Sequence, residues 1–517
     1  MKTFGVGLLG VALMVCAPGT AFAQETTYLG TVMLVQGDRV QVMTTEPAAD
    51  HLWFVIDKNT TIRRGDAVVA SASAKIAAGE RIAVVSAAPA KGDTRAKEVR
   101  LQPAASGTPA TPAAHAEHQT APAAPAQMAM TSMGWHVMQD GVVYGLFNHQ
   151  GGPRGGTEFV VPNWWMGMAM RERGRHQLSL NAMFSLDPAT VGADGYREIF
   201  QVGESLDDKP LIDRQHPHDL FMQLAAAWRI ALPDAFALTV SGGPVGEPTL
   251  GPIAFMHRPS ASGLILAPLG HHTFDSTHIS FGVVAVAVER GRWTVEGSVF
   301  NGREPDEHRW DFDFGRLDSY AGRVWFRPTD SLELQVSSGK LIEPEALEEG
   351  DVTRTTTSMG WFKPGANGLR AVTVGYGVNA AHGEYRHGVF GEATIERLPY
   401  SFAARLDVQQ VETNVLITGE VPHDDGHELE PPATVVAFTI GGTRRLLEWK
   451  GFEGDAGAHL TFYGVPDVLK PTHGSHPVSF QAFFRLRLPT GGSDRMWNMR
   501  MSRVHLMPVD HSSHVGR

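Results

Sequence analysis

The chain has 517 residues, 43% of them hydrophobic and 19% charged, with 56 Gly, 32 Pro and a single Cys, a composition that excludes the disordered, collagenous and disulfide-built classes. The formal net charge is -11 and no Lys/Arg-rich run occurs. Nucleic acid is thereby excluded as a partner, because phosphate binding needs a concentrated basic face.

Residues 1–23 read as a secretory signal peptide. Lys2 gives the positive start, Phe4 to Val15 the short apolar region, and Ala21-Phe22-Ala23 the small-x-small cleavage site. Cys16 lies inside this segment and follows Val15 rather than a small residue, which disfavours a lipid anchor. The mature chain then has no cysteine, and thiol chemistry, disulfides and thiolate metal sites fall away. No later stretch approaches the ~18 consecutive apolar residues of a membrane helix, so any membrane is crossed by strands.

Residues 25–102 carry short β-rich runs (Thr31 to Val35, Val40 to Met43, Trp53 to Ile56, Arg81 to Val85) separated by turn signals at Gln36-Gly37-Asp38 and Asp57-Lys58-Asn59. They predict a small barrel-like domain of five or six strands, and their texture resembles a widespread family of uncharacterised bacterial periplasmic β-domains. Residues 103–133, dominated over 103–127 by Ala, Pro and Thr, read as a tether.

From 134 to 488, segments of about ten residues alternate polar and apolar, the sequence signature of a transmembrane β-barrel. In Ser401 to Val411, Phe402, Ala404, Leu406 and Val408 oppose Ser401, Arg405, Asp407 and Gln409; the same alternation runs through Ser331 to Ser338 and Ser479 to Leu488. The pattern predicts sixteen strands, at 135–148, 158–171, 176–186, 219–230, 235–242, 279–289, 293–301, 318–327, 331–340, 355–363, 369–378, 386–396, 401–412, 433–446, 454–463 and 478–488. Every second connection is short, whereas 187–218, 243–278, 302–317 and 413–432 are long. Outer-membrane barrels share that asymmetry, and an even strand number keeps both chain ends on the periplasmic side. The expected fold is all-β: an antiparallel transmembrane β-barrel of about sixteen strands after a small periplasmic β-domain, with a soluble β protein as the alternative. Trp164, Trp165, Trp293, Trp325, Trp361 and Tyr376 fall in or near strands, as membrane interfaces favour. A Met/His-containing tail, 489–517, follows the last strand, so that Phe484 would supply the aromatic insertion signal internally.

Fourteen of the 23 histidines fall on or at the edge of the outer connections, those that alternate with the short turns in this topology. The densest stretches run from Asp213 to Asp219, from Phe255 to Pro259 and from His271 to His278. In an extended chain His216 and His218 point the same way about 7 Å apart, and with Asp219, His257, His271, His272, Asp275 and His278 they form a candidate site for zinc, nickel or copper ions. The same residues also suit a polar plug that satisfies buried backbone and closes the pore. Met128, Met130, Met133 and Met138 before the barrel, and Met496, Met499, Met501 and Met507 after it, could capture soft Cu(I) or Ag(I) in loose tracts. The enzyme signal is weak: no G-x-S-x-G, H-E-x-x-H, Walker or dinucleotide motif occurs, and Ser276 with Asp275 and His278 is the nearest approach to a nucleophile, base and orienter. Arg323, Glu333, Arg405, Asp407, Arg485 and Arg487 would line the lumen, where mixed charge selects ions or solutes. Sixteen strands leave room for an aqueous channel.

Asn148 to Gly155, Met183-Phe184-Ser185-Leu186-Asp187-Pro188, Leu211 through Phe221, Gly251 through Arg258, His271 through Gly282 and Asn301 to Asp306 resemble a family of uncharacterised proteobacterial outer-membrane barrels with a His-Pro-His-Asp motif. Its members occur in heavy-metal and copper resistance contexts, often with Met/His-rich N-terminal regions. That region is comparatively poor here. The resemblance implies an outer-membrane location and a metal-related theme.

The reading that follows is an outer-membrane channel or metal-handling barrel that passes a small solute or ion, a divalent or copper ion among them, with histidine-rich outer loops gating or binding it. Lipid is its other partner. The alternatives are a closed-lumen metal-binding or stress-protective protein and a membrane-embedded hydrolase.

Overall fold

The computed structural model describes residues 26–36, 39–46, 50–57, 59–64, 67–69, 76, 81–86, 93–101, 134–365, 368–421, 430–490 and 495–501. The predicted signal peptide, the tether and all but the first part of the tail lie outside them. Contacts divide the chain into a unit ending at Ala121 and a second beginning at Pro122.

The first unit is one eight-stranded sheet whose order runs 67–69, 61–64, 98–101, 81–86, 26–36, 39–46, 50–55, 93–95. Val42, Phe54, Ile62, Val84 and Val99 make its core. The expectation of five or six strands falls short because the additional strands span three or four residues, too few to show alternation. Two of them, 93–95 and 98–101, pair in parallel with distant partners.

In the second unit seventeen strand segments fill sixteen antiparallel wall positions of a closed barrel, since Gly156–Val160 and Asn163–Arg173 lie end to end against Trp135–Gln150. Each predicted strand is present, within a few residues. The break in the second arises at Pro162, which has no N–H to give to the ladder; its carbonyl instead accepts from Tyr144 N at 3.0 Å. Closure comes from Val478–Arg487 pairing with Trp135–Gln150, from Phe480 opposite His149 to Arg487 opposite Val142.

The alternation of these strands is inverted relative to a soluble protein. In Trp293–Phe300, Thr294, Glu296 and Ser298 are buried while Trp293, Val295 and Val299 are exposed. Exposed valines and leucines, among them Val284, Val286, Val372, Val374, Leu406 and Leu460, continue around the wall. A belt of apolar side chains this extensive on an outer face is built for hydrocarbon rather than water. Of the aromatics expected at interfaces, Trp293 and Tyr376 do face outward, but Trp325 is 3% exposed and points in. No described helix is long and apolar enough to cross a membrane.

Candidate functional site

The long connection between Phe236–Gly246 and Ser280–Arg290 does not stand outside the barrel. Nearly every residue from Glu247 to Ile279 is buried, and a Cβ on Gly263 would lie 2.7 Å from the Ala403 Cβ of the wall. The segment is a plug inside the lumen. An irregular buried segment must find partners for its own carbonyls, and the inward arginines provide them. Arg405 donates to Leu266 O at 3.0 Å and Ala267 O at 2.6 Å, Arg485 and Arg487 donate to Ser262 O at 2.6 and 2.9 Å, and Arg323 donates to Gly251 O at 3.1 Å. The plug's own Arg258 bonds Glu392 of the wall at 2.6 Å and Asp275 at 2.8 Å.

The six lumen residues expected from the sequence therefore all belong to the inner face, but not as the lining of a wet ring. Arg323, Arg405, Arg485 and Arg487 are clamps on the plug; Asp407 holds Arg405 at 2.9 Å, and Glu333 pairs with Arg327 and, at 3.2 Å, with Arg500. Arg500 belongs to the tail, whose described part is likewise inside. Arg495 bonds Asp140 at 2.6 Å and Glu453 at 2.7 Å, and Met496, Met499 and Met501 are buried. Residues 495–501 are thus a docked segment and not a loose tract.

A second insertion comes from the connection 187–218, where the sequence showed no strands. Tyr196–Leu206 and Lys209–Gln215 form a hairpin, and Phe200 and Ile199 pack against Leu269, Val411, Leu416 and Tyr463. Its alternation is broken by residues with positive φ, Phe200, Glu204 and Asp213 among them, which hides the strands from a period-two search. The hairpin delivers Glu204 and His216 to the plug.

Five histidines meet there. Ring centroids lie 5.9 Å apart for His216 and His271, 5.6 Å for His216 and His272, 5.3 Å for His271 and His272, 5.4 Å for His271 and His278, and 6.0 Å for His218 and His278. His216 and His218 do not work as a close pair; each joins the others separately. Every one of the five has its Nδ1 on an oxygen: the Pro217 carbonyl for His216 (3.2 Å, with a Glu204 carboxylate oxygen also at 3.2 Å), Asp187 for His218 (2.8 Å), Asp275 for His271 (2.8 Å), Glu304 for His272 (3.2 Å) and the Asp275 carbonyl for His278 (2.8 Å). Nδ1 bound in this way orients the ring, as at metal centres, and Nε2 of His216 and His278 is buried with no partner.

Of the remaining expected ligands, Asp275 is at the centre as an orienting carboxylate. Asp219 stands one step away, 3.4 Å from Arg309, which also bonds Glu204. His257 faces elsewhere, toward Trp164 at 5.6 Å. The sequence reading missed Glu204, Glu304 and Arg309. Asp187 and Glu304 lie in the stretches Met183 to Pro188 and Asn301 to Asp306, which the family resemblance marked without giving them a role.

Burial holds His216, His271 and His272 below the usual imidazole range, with His278 lowered to about 3 and His257 to about 4. These rings are neutral and keep their lone pairs at neutral pH. Burial alone would raise Asp275, but the hydrogen bond from His271 and the Arg258 guanidinium carry it well below the carboxylate range. Glu204 and Asp219 are pushed up to about 7 by burial, against the pull of Arg309.

Cavities reach the cluster from different sides. One, lined by Glu204, Glu345, Glu348, His382 and Glu412, touches His272; another, lined by Asp140, Tyr144, Arg487, Arg495 and Trp497, touches His218. Among the described residues, three potential ligands come within 4.8 Å of one another at Asp306, Asp311 and Asp313, two of them exposed, and not at the histidines. A metal at the cluster would draw its rings inward.

No family model and no curated protein matches the chain. Among solved structures it is similar to OprB of Pseudomonas putida (9% identity, 68% of this chain and 94% of that one, TM-score 0.43). It is also similar to OmpF of Salmonella typhi (7%, 69% and 98%, 0.41) and to an anion-selective porin of Comamonas acidovorans (8%, 68% and 100%, 0.40). The barrel itself stands on its strand pairing.

Proposed function

We propose that the chain is an outer-membrane barrel whose plugged lumen takes in a transition-metal cation and passes it across, with the five buried histidines as the selective station. The location rests on the apolar outer wall. With both ends of the barrel segment at its short-turn end, that end is assigned to the periplasm together with the exported N-terminal unit.

The observation that carries the metal reading is five rings gathered in the lumen, each tied at Nδ1 to a carboxylate or carbonyl, with Nε2 of His216 and of His278 buried and unpartnered. Neutral imidazole suits divalent zinc, nickel or copper. The cavities at His272 and His218 supply an approach and an exit. A second reading, a closed store for the same ion, draws support from the clamps that pack the lumen.

Zinc titration of the detergent-solubilised full chain tests the station. Asp187→Asn, which keeps every ring and an oxygen for Asn163 N while weakening the bonds to His218, is expected to lower affinity about 10–100-fold. Unchanged affinity in both Asp187→Asn and His271→Gln would overturn the station. Zinc entry into proteoliposomes carrying a trapped metal-sensitive dye separates conduit from store: binding without entry leaves the store.

A further inference from the structure

A second cluster lies in the lumen beside the histidines, and it is made of sulfur. Nine of the chain's 19 methionines gather in one patch of the barrel interior, which contains no leucine. An apolar filler needs no thioether, and leucine fills such space with better-defined rotamers; elsewhere in the lumen the chain uses Leu146, Leu250 and Leu341.

Within the patch, Met166, Met183, Met222 and Met499 line a small cavity together with His257 and His278. Met166 and Met183 are direct cross-strand partners on adjacent wall positions, and Met222 comes from the next strand along. Met499 arrives from the docked tail, whose Asn498 N donates to His257 O at 2.9 Å. Wall, plug and tail each contribute donors, so the cavity exists only when all three are assembled. Nε2 of His278 has no partner. Glu247 and Arg500, which also line it, are each paired elsewhere, with Arg323 and Glu333, so attraction for a cation must come from sulfur and imidazole.

We propose that this cavity is a binding site for a soft monovalent d10 cation, Cu(I) or Ag(I), held by thioether sulfur and imidazole nitrogen. Thioether ligands select such ions over zinc. The site deepens the metal-handling reading, on which it rests only for how an ion arrives, and His278 joins it to the histidine station.

The test uses Ag(I), which needs no reductant, titrated into the detergent-solubilised full chain labelled with 13C at the methionine methyls. One equivalent of Ag(I) is expected to shift the methyl resonances of the four cavity methionines. The triple variant Met183→Leu/Met222→Leu/Met499→Leu, nearly neutral in packing, should bind Ag(I) at least about 10–100-fold more weakly while binding zinc as the parent does. Silver binding undiminished in that variant, or confined to methyls outside the cavity, overturns the proposal. Zinc binding lost in His271→Gln with silver binding kept supports the two sites as separate; zinc binding absent from the parent, with silver bound in the cavity, ends the proposed histidine station and spares this one.

Discussion

The plug is most exposed to test at Arg258. This side chain is 2% exposed and bridges Glu392 of the wall and Asp275 of the plug, with its guanidinium 4.7 Å from the ring centre of Phe390. Arg258→Met keeps an unbranched apolar stem but removes the guanidinium, leaving the buried carboxylates of Glu392 and Asp275 without their shared cation. Breaking one partner of a buried pair costs about 3–5 kcal/mol, or roughly two to three and a half powers of ten in the ratio of docked to released plug. The four bonds from Arg405, Arg485 and Arg487 to the carbonyls of Ser262, Leu266 and Ala267 remain, each worth about 1.5–3 kcal/mol. Release should therefore be partial and reversible, centred on 251–260 and 271–278. In planar bilayers the parent is expected to be near-silent and Arg258→Met to show frequent brief openings, with Arg258→Met/Arg405→Gln more open still. Circular dichroism checks that the wall keeps its β content, as its strand ladder predicts. Unchanged conductance in a folded double variant would refute the idea that these arginines hold the lumen shut.

Two further outcomes follow from the same geometry. Val374, 40% exposed at the middle of Gly368–Ala381, should tolerate no charge: Val374→Arg is expected to cost about 2–4 kcal/mol in folding into lipid vesicles, and an unaffected folding midpoint would argue for a wall that faces water. As for pH, His257 and His278 are held at about 4 and about 3, below the ordinary 6.5 or so. The unfolded or released state therefore binds more protons as pH falls from 6.5 toward 4, and their contribution to plug stability, complete above 6.5, is lost across that window. Glu204, raised to about 7, acts the other way, its contribution being complete below about 4.5 and lost as pH rises through 7. Openings should grow more frequent below about pH 5, and an Arg258→Met background should bring them in at higher pH; channel activity flat from pH 7 to 4 would show that the imidazoles do not bear on the plug.

How much of this the sequence carried depends on the length scale of the signal. The wall strands were legible to within a few residues because their alternation is enforced twice, by hydrocarbon outside and polar clamps inside. The plug showed as a histidine-rich connection only, since its structure rests on carbonyls caught by Arg405, Arg485 and Arg487 from strands more than a hundred residues away. No local pattern encodes such partners. The direction of those arginines was right and their task was not: a period of two places a side chain on the inner face but does not say whether it meets water or another segment. Asp187 and Glu304 illustrate the limit from the other side, for each lies in an irregular connection and gains a role only when the lumen brings it to an imidazole. The methionines of the tail were read in a loose tract where the structure docks Met496, Met499 and Met501 inside, because a short docked segment and a loose one share the same composition.

The orienting carboxylates and the clamps are linked through Asp275, and on the proposed reading this would couple an ion at the histidines to the closed lumen. Asp275 accepts from Arg258 with one oxygen and bonds His271 with the other, and its first oxygen also accepts from Phe255 N at 3.0 Å. A divalent ion held at His271 Nε2 would, on that reading, polarise the ring, so that Nδ1–H would be drawn more strongly onto Asp275 and that carboxylate's charge away from Arg258. Burial magnifies the exchange, because the attraction between charges scales inversely with the local dielectric. On the proposed reading, metal binding should weaken the clamp, and by linkage a weakened clamp should change metal affinity by the same factor. Micromolar zinc is then expected to raise the opening frequency of the parent channel, while Asp275→Asn, which keeps the shape but loses the charge, should open more often at rest and respond little to zinc. If zinc silences the parent instead, the ion is a plug in its own right and the coupling runs through the lumen's diameter rather than through Asp275.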